Sequence, residues 1–89
     1  MNSEEFNAKW KHHIEEGFED QGMMINNPLV IDYVDVVFSC WEGVGVPFTF
    51  SQIKSKFGMI RAYVTLNGKD HNELEDVLNS YVKNNNIKI

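Results

Sequence analysis

Few side chains in this sequence could do chemistry, and they fall into three groups. His12, Glu16 and Asp20 stand four residues apart, so a helix through them would place one imidazole and two carboxylates on a single face. A lone histidine with carboxylates and no second His or Cys is a poor zinc set, and no metal is expected there. Cys40, the only cysteine, could in principle pair with a histidine as a nucleophile. Its place in an apolar run, one residue before Trp41, predicts instead a buried, unreactive core thiol. With a single cysteine there is no intramolecular disulfide, and a reducing compartment such as a cytoplasm is expected. No Gly-rich phosphate loop, nucleophile elbow or His-Glu-x-x-His pattern occurs. The chain is therefore expected to be non-enzymatic and to carry no cofactor.

The third group is defined by charge. Net charge is −5, which disfavours non-specific nucleic-acid binding by the molecule as a whole. Its distribution is uneven. Residues 1–45 hold nine acids against Lys9 and Lys11, whereas residues 46–69 hold Lys54, Lys56, Arg61 and Lys69 and no acid. Internal pairing with the acidic segments is one reading; a basic patch that meets a phosphate, a nucleic acid or an acidic protein surface is the other. Three or four cations are few against the ~6–10 phosphate contacts of tight nucleic-acid binding. Arg61, the only arginine, is the leading candidate, with Lys54, Lys56 and Tyr63 beside it. Its expected internal partner is Glu16 or Glu19. The acids Glu15, Glu16, Glu19 and Asp20 crowd what reads as the end of a helix, at the negative end of its dipole. Glu19 and Asp20 are therefore candidates for meeting a basic partner. Met23 and Met24 form an apolar loop that could be a contact surface, or a staple in which Met24 or Ile25 packs on the next helix.

The elements that must position these residues are legible from spacing. Residues 3–21 read as an amphipathic helix capped by Ser3, with Phe6, Trp10, Ile14 and Phe18 at spacing four and His13 at the border of that stripe. Gly22 fits its C-terminal cap. Asn27-Pro28 starts a second helix to about Trp41, ended by Gly43-Val44-Gly45. Residues 46–68 are ambiguous. Either Val46–Phe50 is a short strand followed by a short helix capped by Ser51 and ended at Gly58, or Phe48–Phe57 is one strand turning at Gly58. Met59–Leu66 is a clear strand, with Met59, Arg61 and Tyr63 on one face and Ile60, Ala62 and Val64 on the other. Asn67-Gly68 is a turn. Asp70 and Glu73 resemble a capping box for a last helix to about Asn84, striped by Leu74, Val77, Leu78, Tyr81 and Val82. Trp10 and Tyr81 are expected to pack over the strand around Tyr63. The expectation is a single α+β domain over residues 1–89: two N-terminal helices, a two- to three-stranded sheet with the optional short helix, and a C-terminal helix. The longest apolar run, around Leu29–Trp41, is interrupted by Asp32 and Asp35 and does not read as a membrane span.

The segment Gln52-Ile53-Lys54-Ser55-Lys56-Phe57-Gly58-Met59-Ile60-Arg61-Ala62-Tyr63-Val64 resembles the Gln-Val-Lys-Glu-Lys-Phe-Gly-Gly-Leu-Arg-Phe-Tyr segment of small proteins of tailed bacteriophages and prophages. Gln52, Lys54, Lys56, Phe57, Gly58, Arg61 and Tyr63 match; Met59 stands for a glycine and Ala62 for a bulky residue. Many of those proteins continue into a Cys-rich, zinc-finger-like tail that this sequence lacks. The resemblance implies phage origin and directs attention to Lys54, Lys56 and Arg61. It leads to the expectation of a small viral protein in the host cytoplasm that binds a host macromolecule, for example as an inhibitor of a defence or metabolic protein. The alternative is a nucleic-acid-associated accessory protein using residues 54–69. A homodimer is compatible with either.

Overall fold

The computed structural model describes residues 1–89. Its first helix, α1, spans Ser3–Lys9 and is shorter than the spacing predicts. Its cap is Asn2, not Ser3: the Asn2 side chain accepts from Glu5 N–H while the Glu5 carboxylate accepts from Asn2 N–H, a reciprocal capping box. After a single 3-10 turn at Lys11–His13 the chain leaves helical geometry. The reason is a competing partner. Ile14 bridges Phe50 in parallel, and Glu15 N–H donates to Phe50 C=O at 2.9 Å, so these groups satisfy the backbone of a strand. A helix through Glu15, Glu16, Glu19 and Asp20 would also have stacked like charges at its negative end. Gly22, at φ +75°, belongs to the two-residue strand β1 (Gly22–Met23) and caps no helix. A Cβ there would lie 2.6 Å from the Asn7 amide oxygen. That close approach lets Asn7 hydrogen-bond Met23 N–H, Met23 C=O and Gln21 C=O.

Helix α2 runs Pro28–Val44, with Asn27 accepting from Leu29 and Val30 N–H and Gly45 closing it at φ +77°. Its buried stripe is Val30, Ile31, Val34 and Phe38, with Tyr33, Val37 and Trp41 at the margins. Cys40 is exposed, contrary to the expectation of a core thiol. Trp41 turns inward to stack on Phe38, and Cys40, about 100° earlier on the helix, turns outward. Asp35 faces α1, where it accepts from Trp10 Nε1 at 2.9 Å and pairs with Lys9 at 2.9 Å.

The ambiguous middle is a hairpin. β2 spans Phe48–Lys56 and β3 spans Met59–Leu66, antiparallel, and no helix intervenes. β4 (Lys69–His71) follows, and the sheet order is β1-β2-β3-β4 with only β1/β2 parallel. There are four strands rather than two or three. Ser51 caps nothing; it sits where the β2/β3 register shifts between Phe50 and Gln52. Before this bulge Phe48 and Phe50 face the core, and after it Ile53 does, so one extra residue keeps the apolar side inward across the shift.

Helix α3 spans Glu73–Asn84. Asp70 lies in β4 and makes no capping box. Instead His71 Nε2 accepts from Leu74 N–H at 3.2 Å. The three helices and the inward face of the sheet share one core of 18 buried apolar residues, centred on Phe6, Trp10, Phe38, Phe50, Ile53, Ile60 and Leu78. The class is α+β, with helices on one face of the sheet. Trp10 packs on Phe6, Phe38 and Phe48, and Tyr81 packs on Tyr33. Neither reaches Tyr63, which lies on the opposite face. No helix is long and apolar enough to cross a membrane.

Candidate functional site: the open face of the β2–β3 hairpin

The bulge at Ser51 and the alternation of β3 together place Gln52, Lys54, Lys56, Met59, Arg61 and Tyr63 on the sheet face away from the helices. Register pairs Gln52 with Tyr63, Lys54 with Arg61 and Lys56 with Met59. Two cations thus stand directly opposite each other, an arrangement that costs stability in a sheet. Lys54 Nζ lies 5.8 Å from the Tyr63 ring centroid, and Lys56 Nζ lies 5.9 Å from that of Phe57. Those aromatic faces hold the cations in part. Met59 and Tyr63 are about half exposed.

The tip of the hairpin is Phe57-Gly58, with φ +54° and +77°. Positive φ at both central residues defines the two-residue turn that fits the right-handed twist of a hairpin, and that turn prefers Asn-Gly. The β3–β4 turn obeys the preference with Asn67-Gly68, at φ +53° and +81°. Phenylalanine in the left-handed region is an outlier that costs about 1–2 kcal/mol. It gains nothing from burial, since Phe57 is 95% exposed.

Arg61 has an internal partner, but not one of the acids expected. Its Nη1 lies 3.5 Å from Glu75 Oε2 on α3, while Glu75 Oε1 accepts from Ala62 N–H at 3.0 Å. Glu16 and Glu19 take no part. Lys54 and Lys56 pair with no carboxylate, so internal pairing accounts for Arg61 and leaves the two lysines of the hairpin free.

The remaining candidates do not join this face as a group. Met23 is 2% exposed and is a core residue of β1, whereas Met24 is 52% exposed beside it. Ile25 is buried in the common core. Glu19 folds back on its own turn, both carboxylate oxygens accepting from Gly17 N–H at 3.0 Å, and these backbone bonds hold its carboxyl below the usual range. Asp20 is exposed and unpaired. The His12/Glu16/Asp20 alignment is lost with the helix that would have made it. His13 borders the core, stacked on Phe48 at 4.0 Å with Nδ1 3.0 Å from Phe48 C=O.

Sequence reasoning missed Phe57. Its signal was present, because a Phe-Gly pair between two alternating strands is an anomalous turn; it was hidden by the choice between helix and strand for residues 51–57. Comparison with protein-family models, with curated proteins and with solved structures finds no match to this chain.

Proposed function

We propose that this chain is a non-enzymatic, phage-type binding domain that engages an acidic host-protein surface through the β2–β3 hairpin, with Phe57 as the anchor and Lys54, Lys56 and Arg61 around it. The observation that carries the reading is Phe57: a bulky aromatic held fully exposed, at a backbone position where the neighbouring hairpin uses asparagine. Strain retained at an exposed position is expected where function needs the side chain. Aromatic residues, Met and Arg are also the types enriched at the energetic centres of protein interfaces, and Phe57 at the tip with Met59, Arg61 and Tyr63 on the open face supplies them. Inhibition of a host defence or metabolic protein is the action such a domain would exert in the host cytoplasm.

A second reading is favoured by one feature, the interleaving of Lys54, Lys56 and Arg61 with Phe57 and Tyr63, which suits a stacked single strand of nucleic acid. Against it stand the small number of cations and the carboxylate of Glu75 beside Arg61. Affinity capture from bacterial lysate, with and without nuclease, separates the two. The wild-type domain is expected to retain a nuclease-resistant protein that Phe57→Asn and Lys54→Glu/Lys56→Glu lose. Capture that disappears with nuclease supports the second reading. Undiminished capture by both variants removes the hairpin from function altogether.

A further inference from the structure

The outer edge of β2 is covered for most of its length by the segment that precedes α2. Phe48 C=O lies 3.0 Å from His13 Nδ1, Phe50 C=O accepts from Glu15 N–H at 2.9 Å, and Ile53 C=O accepts from Met24 N–H at 2.8 Å. The cover stops there, because β1 ends at Met23 and Asn27-Pro28 turns the chain into α2. Ser55 is the next outward residue. Its partner across the hairpin is Ile60, whose N–H and C=O both face Asn79 on α3. Such a pair exchanges no bonds with each other, so Ser55 N–H and C=O point off the opposite edge. No group of the chain meets them. Asn79 clips the β3 edge and Asn7 clips β1, but nothing clips Ser55.

The surroundings of this open position give it a chemistry. On the helix side lies a hollow of about 420 Å³ that Ser55 lines, with Met24, Ile25, Pro28 and Ile89 as its apolar wall and Lys88 as its one charged side chain. On the open face Lys54 and Lys56 flank Ser55. None of these three lysines pairs with a carboxylate of the chain. A second copy of the chain added at this edge would set Lys54 and Lys56 against their own counterparts, and like charges side by side oppose pairing. An acidic strand is favoured instead. The outer edge of β4 is open as well, but Glu15, Asp70 and Glu75 beside it would repel such a strand.

Resting on the hairpin reading above, we propose that the β2 edge at Ser55 receives an extended acidic segment of the partner protein, added antiparallel as one more strand. One residue of that segment exchanges both backbone bonds with Ser55, which antiparallel pairing alone allows. Side chains alternate across a strand. The side chain of that residue therefore enters the hollow beside Met24 and Pro28, and its two neighbours stand next to Lys54 and Lys56 on the open face. The recognised pattern is acidic, apolar, acidic. In strand addition main-chain bonds supply affinity and alternate side chains supply specificity, and both are provided for here. Phe57 lies two residues beyond the paired position, so the anchor and the added strand serve one partner.

The test needs no identified partner. The ¹⁵N-labelled chain at low salt is titrated with acetyl-Thr-Glu-Val-Glu-Thr-amide, which carries the pattern. Saturable shifts are expected at the amides of Met24, Ser55 and Lys56. The isomer acetyl-Thr-Glu-Glu-Val-Thr-amide, equal in composition and charge, should bind several-fold more weakly. N-methylation of the valine, which removes only the donor for Ser55 C=O, should weaken binding by roughly 10-fold, as loss of one backbone bond implies. Ser55→Pro removes an N–H that bonds nothing within the chain, at an edge where proline is tolerated, and should weaken the peptide to a similar degree. Lys54→Gln/Lys56→Gln should weaken it as well. Spectral dispersion reports the folding of each variant, and the N-methylated peptide needs no variant. Equal binding of the N-methylated peptide overturns the proposal, as do shifts centred on Asp70, absence of saturable shifts, or concentration-dependent shifts at Ser55 without peptide, which would mean self-pairing. Failure here with lysate capture still lost in Phe57→Asn sinks the strand addition alone. Capture indifferent to Phe57→Asn and Lys54→Glu/Lys56→Glu sinks the hairpin reading itself.

Discussion

Positions 57 and 67 present the same backbone requirement, and the chain meets it with phenylalanine at one and asparagine at the other. The difference predicts the effect of exchange. Phe57→Asn should stabilise the domain by about 1 kcal/mol, because asparagine tolerates the left-handed region that phenylalanine resists. For a chain of this length that corresponds to a rise in melting temperature of roughly 4–8 °C. A fall in melting temperature would mean that Phe57 contributes packing that its exposure does not suggest, and the inference of retained strain would be lost. Cys40 is a second residue-scale case. Exposed on α2, it should react completely and rapidly with a thiol reagent under native conditions, and slow modification requiring denaturant would contradict its placement. Glu19 gives a pH-dependent case. Its folded carboxyl is held below the ordinary range by the Gly17 N–H bonds, so the proton is bound more weakly in the folded state than in the unfolded state. The associated stabilisation is present above the unfolded titration midpoint and is lost as pH falls through the folded one. An NMR titration should place the Glu19 midpoint below the usual glutamate value; a midpoint at or above that value would show that the turn does not hold.

At the scale of elements, the sheet edges explain the economy of the fold. β4 pairs only with Val64–Leu66 of β3, which leaves Ile60 and Ala62, paired with β2 on one side, without a strand neighbour on the other. Helix α3 supplies the missing groups. Asn79 accepts from Ile60 N–H at 2.8 Å and donates to Ile60 C=O at 3.0 Å, while Glu75 accepts from Ala62 N–H. Asn7 of α1 does the same for Met23 on the other edge. Two asparagine side chains thus stand in for neighbouring strands and blunt edges that could otherwise recruit another chain. Asn79→Ala should cost about 2–3 kcal/mol, the penalty for leaving partly buried backbone groups unpaired. Urea unfolding measures it. A loss well under 1 kcal/mol would indicate that water replaces the amide and that the clip is incidental. The same architecture explains why Arg61 has a partner on α3: the helix that closes the β3 edge brings Glu75 to the arginine, a contact between residues 14 apart in sequence.

For the whole molecule the margin is small. A domain of this size folds with only ~5–15 kcal/mol of net stability, and Trp10 packs on α1, α2 and the start of β2 at once. Trp10→Ala should cost about 3–5 kcal/mol, combining lost burial, a cavity and the lost hydrogen bond to Asp35. Calorimetry should show either a severely lowered transition or none; a near-normal transition would be incompatible with the core described. Charge behaves differently at this scale. The acids dominate the total, yet the open face is basic at the hairpin and acidic where Glu15, Asp70 and Glu75 line a shallow cleft beside β4. The charge presented locally on that face therefore differs from what the sum of −5 suggests.

Local patterns sufficed wherever the determining forces are local. Asn27-Pro28 and Gly45 bound α2 because caps act within one turn. Asn67-Gly68 makes a turn because its backbone needs are met by its own residues, and the alternation through Met59–Val64 reads directly as an outward and an inward face. Where distant backbone competes, the local pattern misleads. Phe6, Trp10, Ile14 and Phe18 keep helical spacing, but only the first two lie in or beside α1, because Ile14 and Glu15 satisfy Phe50 across 36 residues instead of extending the helix. Cys40 illustrates a finer limit: one residue on a helix turns a side chain by about 100°, and only packing against Phe38 decided that Trp41 would face inward. The basic segment could be counted in the sequence. Its division into a paired Arg61 and unpaired Lys54 and Lys56 could not, because Glu75 reaches Arg61 only once α3 has docked on the β3 edge.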